Sequence, residues 1–87
     1  MVSDIQDGIQ MAFMLQVAVN YVPEMMEPCM AWVQQHPDSN GHVAIAKTLV
    51  RGMKAGKISG NFANNCTLWL KDQEENSRID ASLLKEL

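Results

Sequence analysis

Residues 8–22 read GIQMAFMLQVAVNYV, a stretch with no charge and only three amides, and its periodicity decides the fold. Set on a helix at 100° per residue, Ile9, Met11, Phe13, Met14, Leu15, Val17, Val19, Tyr21 and Val22 point in every direction. A helix apolar all round is normally buried all round. The whole chain has 87 residues, and a domain of that size buries only about 60–65% of its extended surface. What remains can hardly surround five helical turns. The expectation is that a partner or a second copy covers part of this helix, at Phe13, Leu15, Val17 and Val19.

Outward from this stretch, helical spacing recurs, and no segment alternates apolar and polar over five residues. The first helix is predicted over about 4–21, with Ser3 as N-cap and Asp4 and Asp7 facing the positive end of the dipole. Pro23 suits a first turn at 23–27, and Pro28 then interrupts the ladder. A second helix follows over 28–35. Met25, Met26 and Met30 gather there with Val33 and Trp32, a candidate adaptable binding surface. Residues 36–41 are a loop by composition.

The third helix is predicted over 42–55, closed by Gly56. Val43, Ala46, Leu49, Val50 and Met53 form its expected apolar face, and Lys47, Arg51 and Lys54 a basic stripe. Ala44, Thr48, Gly52 and Gly56 make a ridge of small residues. Glycine within a helix costs about 1 kcal/mol against alanine, so Gly52 predicts close approach of another backbone or a large side chain. A fourth helix over 61–75 turns Phe62, Cys66, Trp69 and Leu70 inward, with a short strand over 67–70 as the alternative. A last helix over 78–87, capped by Ser77, docks Ile79, Leu83, Leu84 and Leu87. The sum is one all-α domain over 1–87, a compact bundle of four to five short helices, homo-oligomeric through the first.

Charge is partitioned sharply. Residues 1–46 hold five acids and no Lys or Arg; residues 47–58 hold Lys47, Arg51, Lys54 and Lys57 and no acid, within a net charge of −3. The stripe either stabilises the negative end of its helix or meets an anionic partner. Cys29 and Cys66 are too few for a disulfide scaffold and too far apart for a zinc knuckle. With no basic leader and no apolar run long enough to span a bilayer, the expected location is the cytoplasm.

His36, Asp38, Ser39 and His42 are the residues from which a catalytic or metal site could be built, but neighbours on one loop lack the packing that holds a nucleophile, base and orienter together. No phosphate-loop, dinucleotide or zinc-protease motif occurs, and Gly56-Lys57-Ile58-Ser59-Gly60 resembles a phosphate cradle in composition only. The expectation is therefore no enzyme, no cofactor, no metal and no membrane. It is a protein-binding module (an adaptor, subunit or inhibitor of another protein, a modulator of the phage or mobile-element type being one form) that binds another protein, itself or both. The alternative is a helix-turn-helix DNA binder, with Lys47, Arg51 and Lys54 on phosphates and Asn61, Asn64, Asn65 and Lys71 toward base edges.

Overall fold

Asp7 opens the first helix: its backbone is extended and its carboxylate accepts the Ile9 N–H at 2.7 Å. The computed structural model describes residues 7–85. The cap expected at Ser3, the place of Asp4 and the docking of Leu87 fall outside them. Helix α1 covers Gly8–Tyr21, with Asp7 and not Ser3 as its N-cap.

Pro23 sits in the first turn of a short 3₁₀ segment, Pro23–Met25, and helix α2 follows directly over Met26–Gln35. Pro28 therefore lies inside α2 and does not start it. At the third helical position its missing N–H has no intrahelical acceptor to lose, so the ring is tolerated. Helix α3 is His42–Lys54, α4 is Gly60–Glu75 and α5 is the single turn Ala81–Leu84. Among the described residues there is no strand, and the alternative over 67–70 is helical.

Helices α3 and α4 end alike. Gly56, at φ 74°, donates to the Met53 carbonyl at 3.1 Å while Lys57 donates to the Gly52 carbonyl at 2.9 Å. After α4, Ser77 takes the same left-handed position at φ 59°, with Ser77 N–H on Glu74 and Arg78 N–H on Gln73. Ser77 thus closes α4 rather than capping the last helix, at a strain of about 1 kcal/mol for a residue with a side chain. Asp80 caps α5 instead. The hydrogen bond from Ser82 N–H holds its carboxyl below the usual carboxylate range.

The Cα trace measures 32 × 28 × 18 Å. Its short dimension is under two helix diameters of about 10–12 Å, so the helices form two layers. Helix α1 packs on α2 and α3, and α3 also packs on α4 and α5. Met11, Leu15, Cys29, Ile45, Leu49, Cys66 and Leu70 are fully enclosed at the centre. Both cysteines are free thiols; burial pushes Cys66 up to about 12 and also raises Cys29, so both stay protonated at neutral pH.

Two layers cannot wrap α1 within one protomer, and Ile9, Phe13 and Tyr21 are left exposed on it. Gly8, Met11, Ala12, Leu15, Ala18 and Val19 form its buried side. Leu15, Val19, Met30 and Gly52 are buried in the protein's own interior, Val19, Gly52 and Met30 only edging surface depressions. On α3 the buried face is Ile45, Ala46, Leu49, Val50 and Gly52. Val43, expected inside, points outward, because it lies about 200° around the helix from Ile45.

Candidate functional site

Helices α1 and α3 lie side by side and run in the same direction. At their N-terminal ends the Gly8 N–H donates to the Asn40 side-chain oxygen at 2.7 Å. There the two backbones are so close that a Cβ on Gly41 would stand 2.6 Å from the Gly8 carbonyl carbon. At the far end Val19 reaches Gly52, and the Lys57 ammonium donates to the Asn20 side-chain oxygen at 2.8 Å.

The small residues of α3 explain this closeness. Ala44, Thr48 and Gly52 face α1, so the predicted ridge does admit a close neighbour, but the neighbour is a helix of the same chain. A side chain at Gly52 would meet the tip of Ile58 at 2.6 Å and Val19 at 3.2 Å. Gly56, the last member of the predicted ridge, has open space around it and serves only as the helix end.

Along the outer side of this seam runs a shallow groove. Ile9 and Phe13, one turn apart on α1, are 58% and 70% exposed, and Val43 across the seam is 47% exposed. Ala12 and Ala44 contribute apolar surface between them, and Gln16 and Asn20 continue the α1 wall. The opposite wall is Lys47, Thr48 and Arg51, with Lys57 at the end. Beyond Val43, the groove opens toward His42 and Arg78. Among the described residues, none of the side chains lining these three adjoining depressions is acidic. The most enclosed of them, at the Gly52 end, holds about 180 Å³, below the roughly 300–1,000 Å³ of a drug-sized ligand cleft, and the widest, about 530 Å³ beside Val43, lies open to solvent. The shape suits a macromolecular surface better than a small molecule.

The structure divides the predicted site residues. Phe13, Lys47 and Arg51 come together in the groove. Val17 is half-buried on α1, and Met25 and Met26 are half-buried against the core; none of the three lines the groove. Met30 forms part of a separate depression between α2 and α4 with Glu27, Ala31, Gln34, Phe62 and Asn65. Lys54 is exposed but lies outside the groove. Asn61, Asn64, Asn65 and Lys71 are exposed on α4, and none of them lines the groove.

The histidine loop is a clasp. His36 stacks on Trp32 with ring centroids 4.1 Å apart, and its Nδ1 lies 2.8 Å from the Trp32 carbonyl. His42 Nε2 lies 3.0 Å from the Pro37 carbonyl. Arg78 donates to that same carbonyl and pairs with Asp38 at 3.6 Å, tying the loop to the segment before α5. Among the described residues no three potential metal ligands converge.

Ile9, Val43, Ala44 and Lys57 escaped the sequence reading as site residues. The available signal was the i, i+4, i+7, i+11 row Ile9, Phe13, Gln16, Asn20, in which apolar gives way to amide along one helical stripe. The site defines a two-layer helical protein with one exposed apolar groove walled by cations. Comparison with protein-family models, curated proteins and solved structures finds no match for the chain. Among the described residues no helix is long and apolar enough to cross a membrane.

Proposed function

We propose that this protein is a non-catalytic protein-binding module, an adaptor, subunit or inhibitor, that engages its partner through the α1–α3 groove. One observation carries the reading: Ile9, Phe13 and Val43, three large apolar side chains, stand exposed together on one face. Scattered exposed apolar residues are ordinary, whereas a contiguous set beside a polar rim marks a surface made to be covered. The groove is shallow, and the histidines are engaged in holding a loop, so neither offers a reaction centre. The two buried thiols fit a reducing compartment such as the cytoplasm.

The test compares capture of native partners by the wild-type protein, by Phe13→Asp and by Leu68→Asp. Leu68 is a second exposed apolar residue, 66% accessible, on α4 and outside the groove. Both substitutions fall on exposed positions and leave thermal unfolding near wild type. Phe13→Asp is expected to lose the captured protein by roughly tenfold or more, as an anchor at the centre of an interface does. Leu68→Asp retains it. Equal capture by Phe13→Asp and wild type refutes the assignment of the groove.

A further inference from the structure

We infer that the groove's occupant is an acidic amphipathic helix of a partner protein, laid lengthwise between α1 and α3. The inference rests on the reading of the chain as a protein-binding module and specifies what that module binds.

Three features point to this occupant. The first is length and shape. Helix α3 has 13 residues, about 20 Å at 1.5 Å per residue, and the groove follows it from Val43 to Lys57. A seam between two parallel helices that carries Ile9 and Phe13 one turn apart matches a visiting helix with apolar anchors at i, i+4 and i+7. No strand lies among the described residues, so they offer no sheet edge to which an extended peptide could add.

The second is charge. Lys47 and Arg51 stand one turn apart on one wall, Lys57 closes the end, and among the described residues no lining side chain is acidic. A helix with carboxylates beside its apolar stripe is electrostatically complementary to that wall. The arrangement also disfavours a second copy: a two-fold contact buries the same patch on both subunits, so each copy brings only cations to it.

The third is the apolar floor. Nucleic-acid phosphates find no partner at Ile9, Phe13, Ala44 or Val43, and the net charge of −3 repels a polyanion over the rest of the surface.

The test is selection from a displayed library of helical 14-residue peptides against the wild-type protein, with Phe13→Asp as counter-selection. Enriched peptides are expected to carry apolar residues at i, i+4 and i+7, flanked by Asp or Glu. Their affinity should fall roughly tenfold or more in the exposed double variant Lys47→Glu, Arg51→Glu, and should weaken with added salt. Enrichment of neutral or basic helices that still require Phe13 overturns the acidic occupant and leaves the docking groove standing. Selection that yields no Phe13-dependent peptide, or groove signals that appear only as the protein's own concentration rises, overturns both the occupant and the hetero-partner reading.

Discussion

Gly8→Ala is expected to cost a large share of the protein's stability. A methyl group at position 8 would be built into the Asn40 backbone carbonyl, deep inside van der Waals contact, with the Asn40 side-chain oxygen 3.0 Å away. The nearest atoms belong to the Asn40 backbone and cannot swing aside as a side chain can, so relief requires α1 to pull off the loop that starts α3. That movement also breaks the 2.7 Å hydrogen bond from Gly8 to Asn40. A loss of about 3 kcal/mol or more follows, against a total near 5–10 kcal/mol for a domain of this size. Gly56→Ala provides the contrast: its left-handed φ is strained for alanine, but nothing lies within 4 Å, so the expected cost is about 1 kcal/mol. Urea denaturation midpoints check both, and a Gly8→Ala midpoint as high as that of Gly56→Ala would show that α1 and α3 are not in backbone contact.

Leu15→Ala and Phe13→Ala are expected to differ sharply although they lie two residues apart. Leu15 is fully buried among the central side chains, and removing it leaves a cavity in a core with few alternatives for filling it. The expected loss is about 3–4 kcal/mol. Phe13 faces solvent, so its truncation is expected to change stability by less than about 0.5 kcal/mol while weakening partner capture. Similar losses for the two would mean that Phe13 is packed inside, and the docking face would not exist.

Much of the architecture is legible in the residues. Pro23 and Gly56 fall at breaks, and the C-terminal ends of α1, α3 and α4 lie within one residue of their predicted positions, whereas Pro28, expected to start α2, lies inside it. The phase of α1 was not legible, for a physical reason. A helix whose large residues are apolar on every side carries no polar stripe to mark the outside. Its buried side is set instead by where Gly8 and Ala12 let a neighbour approach, information held by Gly41 and Ala44 on another helix. Ser77 misled because serine is a common N-cap and only rarely adopts a left-handed backbone. The basic stripe was visible from spacing alone, but its apolar complement was not, since Ile9, Phe13 and Val43 come together only through the parallel packing of α1 on α3. Gly52 was singled out correctly as a point of close approach, and its neighbours proved to be Ile58 and Val19 of the same chain.

The central claim, that the Ile9–Phe13–Val43 face is where another protein sits, is tested most directly by photo-crosslinking from benzoylphenylalanine placed at position 13, with position 68 as control. A discrete adduct from position 13 and not from 68, mapped by mass spectrometry to a helix with acidic residues beside its apolar stripe, is the predicted result. Adducts from both positions alike, or from position 13 to a second copy of this chain alone, would contradict it.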